Sequence, residues 1–300
     1  MSLRTQWARV AGLVLLTAIA CYPTCVGWAD DARPQRKIVL VAGETAKVDK
    51  LGHHDYLAGC QCLELLLKQT PGISVTQVTE GWPSDESLFD GASSIVFYTD
   101  GGGKQAFLAQ PQRVAKLQAL VEAGVGIVML HQAVDYPVEF SPQALNWLGG
   151  LYVDGRSGRG HWDSKHVDFP DHPIARGVTP WEINDGWLNA IVFVDNLRGI
   201  TPLVWSGKEY AGSRAGLDGD IVAWAYERPS LNANSPGAGR SFAFTGLDAH
   251  EAWSLPGMRQ LVVNGVLWTA GAEIPDQGAP CEIDPQRLIA LQTPRQPKQP

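Results

Sequence analysis

GVGIVMLHQAV, residues 124–134, decides how this chain is read. Ile127, Val128, Met129 and Leu130 form an unbroken apolar run, the pattern of a strand covered on both faces. His131 follows at the carboxyl end, with the small Ala133 two positions on. Many α/β enzymes place a nucleophilic Ser or Cys at such a strand end. Here an imidazole takes that place.

Outward from this stretch, strands and helices alternate. KIVLVAG (37–43) is a buried strand ending in glycine, 73–78 alternates as a second strand, and SSIVFYTD (93–100) is a third. Leu57, Cys60, Leu63, Leu66 and Leu67 repeat at helical spacing over residues 56–69, and Pro71-Gly72 stops that helix. Val114, Leu117, Leu120 and Val121 mark a surface helix over 110–123, and a last helix spans 256–269. Alternation at this spacing means βαβ units, hence a mostly parallel, doubly wound, flavodoxin-like sheet with helices on both faces. Ligands gather beyond the carboxyl ends of such strands, so Gly43, Asp100 and His131 are expected on one rim. After Gly150 the chain turns rich in Gly, Trp, His and Asp, with short β pieces at 201–207, 220–227 and 240–247. These read as insertions and late strands on one sheet, not as a separate domain.

The first 29 residues read as a secretory signal peptide: Arg4 and Arg9 precede an apolar run over 10–20, and Gly27-Trp28-Ala29 offers a cleavage site. The run is shorter than the roughly 18–20 residues of a membrane span, so no stable span is expected. Cys21 gives a lipoprotein as the alternative. The folded domain is placed at 37–271, and the tail 272–300, closing on QTPRQPKQP, is expected to be disordered. Beyond the leader only Cys60, Cys62 and Cys281 remain, too few for a disulfide framework, so one pair forms or all three are ordinary thiols. A net charge of −7 without any basic run excludes nucleic acid as a partner. Gly101-Gly102-Gly103 continues as Lys104-Gln105-Ala106, not G-x-G-x-x-G, so no nucleotide cofactor is expected. Asp100 before these glycines is a turn former, or the glycines let backbone approach a ligand closely.

The 7 histidines fall in four places: His53 and His54, His131, the group His161, His166 and His172, and His250. Imidazole is the commonest metal ligand and the natural acid/base near neutral pH. His161 and His166 are five apart, so a bulge or turn is needed to make them converge. Asp55, Asp100, Asp163 and Asp185 are the acidic candidates. Trp162, Trp181, Trp187, Trp205, Trp224 and Trp253 crowd the second half. Most Trp are core, but indoles amid Gly, Asn and Asp also suit an apolar sugar face.

The combination resembles the trehalose-utilisation (ThuA-like) family of the class I glutamine amidotransferase-like superfamily. The resemblance runs through KIVLVAG, GHHDYLAG (52–59), IVFYTDGGG (95–103), the opening stretch, NWLGGLY (146–152), GHWDSKHVDFPDHPIARGV (160–178), INDGWLNA (183–190) and GRSFAFTGLDAHEAW (239–253). It covers about 37–271. The family's H-P-I-x-x-G matches His172-Pro173-Ile174 and Gly177, whereas its D-E-x-Y appears as Asp185-Gly186-Trp187, without the glutamate. Its G-H element appears shifted, as Asp248-Ala249-His250. The resemblance implies an amidotransferase-like fold with His131 where the amidotransferases carry their Cys, which rules out a thioester mechanism and glutamine amidotransferase activity. It also implies sugar substrates and, in some members, a metal held by histidines. The expected function is therefore an exported carbohydrate-active enzyme acting on a glycoside or keto-sugar. His131, Asp100 and Asp185 are its catalytic candidates, and His53, Trp162 and Trp187 its substrate contacts. His54, His131, His161, His166 and His250 are the candidate ligands of a divalent, zinc-like metal. The alternative is a non-catalytic sugar-binding or envelope protein that keeps the fold.

Overall fold

The computed structural model describes residues 35–44, 52–207, 220–229 and 239–293. The signal-peptide reading of residues 1–29, with Cys21, lies outside the described residues. In chain order the elements are β1 (Arg36–Ala42), α1 (Tyr56–Leu67), β2 (Ile73–Val78), β3 (Ala92–Tyr98), α2 (Pro111–Glu122), β4 (Gly126–Leu130), α3 (Ser141–Leu148), β5 (Gly150–Leu151), β6 (Gly158–His166), β7 (Trp181–Asn189), β8 (Val192–Phe193), β9 (Ile200–Trp205), β10 (Ile221–Glu227), β11 (Arg240–Phe244), α4 (Pro256–Thr269) and α5 (Pro285–Leu291).

Seven strands form one sheet in the order β2-β1-β3-β4-β11-β10-β9. The first five are parallel, and β10 pairs antiparallel with both β11 and β9. This is the mostly parallel, doubly wound sheet expected from the sequence. Period-2 alternation divides the core: Ile38 and Leu40 of β1 pack with α1 and α4, while Val39 and Val41 pack on the other face with α2 and α3. Tyr98, Leu130 and Phe244 lie level at the ends of β3, β4 and β11, so the loops after these strands rise from one rim. β6 and β7 pair as a separate antiparallel ribbon from Gly158↔Asn189 to His166↔Trp181. The late strands thus extend the sheet, and the Trp- and His-rich insertion is this ribbon.

The sequence places α1, α2 and α4 within two residues of their observed ends, because each carries its apolar face and a Pro or Gly boundary. The reading of 272–300 as a disordered tail is corrected up to residue 293. α4 is buried on all sides, and the segment after it covers its outer face through Gln260 Nε2 to Ala279 O (2.9 Å) and Asn264 Oδ1 from Ala279 N (3.1 Å). α5 then buries Leu288. Cys60, Cys62 and Cys281 are all buried and unpaired. Burial pushes the Cys62 thiol up to about 12, so it is an inert packing group at neutral pH. No helix among the described residues is long and apolar enough to cross a membrane.

Candidate metal centre

His131 leaves β4 in a left-handed conformation (φ 56°), as do His54 (φ 51°) in the loop before α1 and Leu247 (φ 72°) after β11. Each costs about 1–3 kcal/mol for a residue with a Cβ, and such strain gathers where geometry is imposed for function. The three converge on one carboxylate, Asp248. Its four imidazole neighbours come from three places in the fold: His53 and His54 from the β1–α1 loop, His131 from the β4 end and His161 from β6.

Asp248 Oδ2 lies 2.8 Å from His53 Nδ1 and 2.7 Å from His161 Nε2. Its Oδ1 lies 2.9 Å from His54 Nε2 and 3.5 Å from His131 Nε2. Burial alone would push this carboxyl up. The adjoining imidazoles of His131, His54 and His53 outweigh burial and hold it well below the usual carboxylate range. The group is therefore an anion at any physiological pH.

The tautomer of His131 matters most. Its Nδ1 lies 3.1 Å from the carbonyl oxygen of Thr245, which can only accept, so Nδ1 carries the proton. In the neutral ring Nε2 then presents a lone pair. That buried nitrogen and the buried Asp248 Oδ1 face each other at 3.5 Å with no hydrogen bond formed between them, while His54 Nε2 approaches the same oxygen at 2.9 Å. His54 is set similarly: its Nδ1 faces Asp100 Oδ1 at 3.7 Å and its Nε2 points at Asp248, with the Gln132 side-chain amide 3.3 Å away. Tyr56 Oη donates to Asp100 Oδ1 at 2.6 Å and fixes that carboxylate. Two imidazole nitrogens and a carboxylate oxygen gathered together, with the His131 ring backed by a carbonyl acceptor on its far nitrogen, is an arrangement that can hold a divalent cation. The donor atoms of His54, His131 and Asp248 lie within 4.8 Å of one another, and so do those of His53, His161 and Asp248.

Asp185 holds the loop that carries Asp248. Its Oδ2 accepts the Leu247 amide (2.7 Å), and its Oδ1 accepts those of Ala249 (3.1 Å) and Gly186 (2.9 Å). Burial pushes this carboxyl up, against the pull of His131 and the three amides. The next residue must be small, because a Cβ at Gly186 would lie 2.7 Å from Asp248 Oδ2. Gly101 serves the opposite wall, where a Cβ would meet Gln132 O at 2.3 Å. The glycine run therefore admits backbone from the His131 turn.

The cluster opens into a cavity of about 220 Å³ lined by His54, His131, Arg159, His161, Trp187 and Asp248, among others. Arg159 is fixed there by Asp135 Oδ2 (3.2 Å) and Tyr152 Oη (3.0 Å). A wider groove of about 670 Å³ beside Leu145, Phe193 and Tyr226 has no imidazole among its lining residues.

Of the residues singled out from sequence, His54, His131, His161 and Asp100 meet here. His53, read as a substrate contact, is instead a partner of Asp248. Asp185 faces backbone amides, so it positions and does not react. Trp187 is buried and lines the cavity, while Trp162 packs on it at 6.3 Å between ring centroids, outside the cavity lining. His166 and His250 are corrected as metal ligands. Five residues along β6, His166 points to the opposite face from His161, where it packs on Trp181 (4.8 Å) and Trp187 (5.5 Å). His250 Nε2 turns away to the Leu288 carbonyl at 3.0 Å. Asp248, Tyr56, Gln132 and Arg159 were missed. The available signal for Asp248 was an acidic residue just past the last strand, in GLDAH.

Burial pushes the His166 imidazole down to about 4, despite a backbone hydrogen bond at Trp205 that opposes the shift. The unfolded chain protonates near 6.5 and the folded chain near 4, so folding stability falls as pH drops through that window and levels off below it. His166→Gln is expected to flatten this acid limb by about 2–3 kcal/mol. Urea unfolding of both proteins in EDTA between pH 7 and 4 reads it, and parallel pH profiles would refute it.

A profile of the ThuA (trehalose utilisation) family matches residues 38–269. No curated protein matches the sequence. Among solved structures, a ThuA-like protein from Parabacteroides merdae superposes with a TM-score of 0.55 at 13% identity, covering 83% of this chain and 96% of its own. Another from Bacteroides uniformis gives 0.52 at 14% identity, covering 83% and 95%. At these identities the likeness is one of fold. The matching profile spans nearly the whole sheet and every residue around Asp248, and on that ground the chain belongs to the ThuA, trehalose-utilisation, family.

Proposed function

We propose that this chain is an exported carbohydrate-active enzyme that acts on a glycoside or keto-sugar, with one zinc-like divalent cation held by His54, His131 and Asp248. The observation that carries the reading is the facing pair His131 Nε2 and Asp248 Oδ1, both buried and 3.5 Å apart with no hydrogen bond formed between them. Two lone pairs facing each other in a buried site repel, and a cation between them relieves that repulsion. Their separation is close to the ~3.4 Å expected between ligands of a tetrahedral ion with bonds near 2.1 Å. A bound cation of this kind polarises a sugar oxygen and lowers the pKa of bound water toward 7.

The chain's own groups do the rest. Thr245 O holds the His131 ring in the tautomer whose Nε2 lone pair faces Asp248, and the Asp100 carboxylate faces His54 Nδ1. Arg159 offers guanidinium donors to sugar hydroxyls, and the cavity wall at Trp187 and Leu188 offers an apolar face. At about 220 Å³ the cavity is below the ~300–1,000 Å³ of drug-sized sites and suits one sugar ring, with the remainder of a glycoside at the mouth. Arg4 and Arg9 ahead of the apolar run support export, and a mature N-terminus at Asp30 in the exported protein tests that part.

Purified protein is expected to carry stoichiometric metal, and EDTA is expected to stop turnover of aryl glycosides or 3-keto-glycosides until Zn²⁺ or Mn²⁺ is restored. Metal-free protein, together with unchanged turnover in His131→Ala, would overturn the proposal. A non-catalytic binder is the second reading, favoured by Gly186 standing where the resemblance implies a glutamate. It predicts sugar binding that survives EDTA, with no turnover.

A further inference from the structure

We propose that a second divalent cation binds between His53 and His161, with Asp248 bridging it to the first. This rests on the cation reading of His54 and His131 above and extends it to the other oxygen of the same carboxylate.

Asp248 has an imidazole pair on each oxygen, and the pairs do not overlap. Oδ1 faces His54 and His131; Oδ2 faces His53 Nδ1 at 2.8 Å and His161 Nε2 at 2.7 Å. These last two contacts are hydrogen bonds in the metal-free chain. A neutral imidazole can move its single proton to the far nitrogen, so both rings can present lone pairs toward Oδ2 without net proton loss. The ligand atoms then need to part by only about 0.6–0.7 Å to reach the separation around a tetrahedral ion. Gly186 lets the carboxylate sit this close to β7: a Cβ there would lie 2.7 Å from Oδ2 and 2.8 Å from Cγ of Asp248, so any side chain would displace the bridging group.

A carboxylate with a cation on each oxygen is the bridge of two-metal sites, whose ions sit about 3.5–4 Å apart. Adjacent oxygens on a sugar ring can then be held by one ion each. The two places are not equivalent. The first place has one buried imidazole, His131 at 3%, beside His54 at 30%, whereas in the second the His161 side chain is 58% exposed and that of His53 is 23% exposed. The second ion is therefore open to water and exchanges more readily. Two divalent ions sharing one carboxylate also repel, which weakens the second further. Asp100 and Asp185 close by offset part of that repulsion.

The full chain, stripped with EDTA and titrated with Mn²⁺, separates the outcomes by calorimetry and electron paramagnetic resonance. Two ions per chain are expected, the second at least tenfold weaker, with a spin-coupled Mn²⁺ pair at saturation. His161→Ala and His53→Ala are each expected to keep one ion and lose the coupled signal. The metal-free melting temperature of His161→Ala should match the parent, because the residue is exposed on β6. One ion in the wild type, unaffected by His161→Ala, would overturn the second site and leave the first standing. No bound Mn²⁺ at all would overturn both. Two ions persisting in both variants would refute these ligands.

Discussion

Asp248→Asn is expected to cost at least about 100-fold in cation affinity while the protein remains folded. Changes to groups that only orient ligands already cost 10–100-fold, and this carboxylate is itself the shared ligand. Asn keeps the shape and one acceptor oxygen, so the His53 or His161 contact survives and packing against Gly186 is unchanged. What disappears is the single negative charge among four imidazoles. The backbone of residue 248 is held independently, since its carbonyl accepts the His54 amide at 3.0 Å. Calorimetric titration with Zn²⁺, alongside thermal unfolding in EDTA, checks both halves. Retained affinity would show that the imidazoles alone hold the ion, against the geometry described.

Asp185→Asn should instead act on the fold, lowering stability by about 2–4 kcal/mol. The carboxylate accepts three backbone amides from two segments. An Asn oxygen can keep Gly186 and Ala249, but its NH₂ then faces the Leu247 N–H, donor against donor. Each donor stranded in the interior costs about 1–3 kcal/mol. Burial already pushes the Asp185 carboxyl up, so removing its charge recovers a fraction of this, and the stranded donors win. For a domain of this size the melting temperature should fall by roughly 5–15 °C. Leu247 sits in the left-handed region and is tied there by this contact, so cation affinity should weaken with it. A melting temperature within 2 °C of the parent would show that the loop is held by other means.

The sheet was legible because its strands are continuous apolar runs, and the right-handed βαβ rule leaves few ways to order them. The same logic puts Asp100 and His131 on one rim from the sequence alone. Asp248 was not legible, because its role depends on a turn pinned by Asp185, more than sixty residues away. The ribbon hid its parity for a different reason. In GRGHWDSKH the charged Arg159, Asp163 and Lys165 share a face with His161, opposite Trp162, Ser164 and His166, but that parity reads only once the segment is known to be a regular strand. α5 was hidden by composition: its surroundings are polar and Pro-rich, and a single buried Leu288 seats it.

The closing segment has a temporal consequence. Asp55 caps α1 by accepting the Ala58 amide at 3.3 Å, and it also accepts Thr293 through the backbone amide and the hydroxyl, both at 2.7 Å. His250 is fastened at one end to Gly52 O and at the other to Leu288 O. The loop bearing His53 and His54 is thus latched by residues that leave the ribosome some 240 positions later. Strands β1 to β4 can pair early and β9 and β10 join only through β11, but the loop bearing His53 and His54 gains its latch only when the last turn of chain has docked. Centre assembly is the closing event of synthesis, and a chain cut short before that turn carries every ligand and still lacks the latch that sets them.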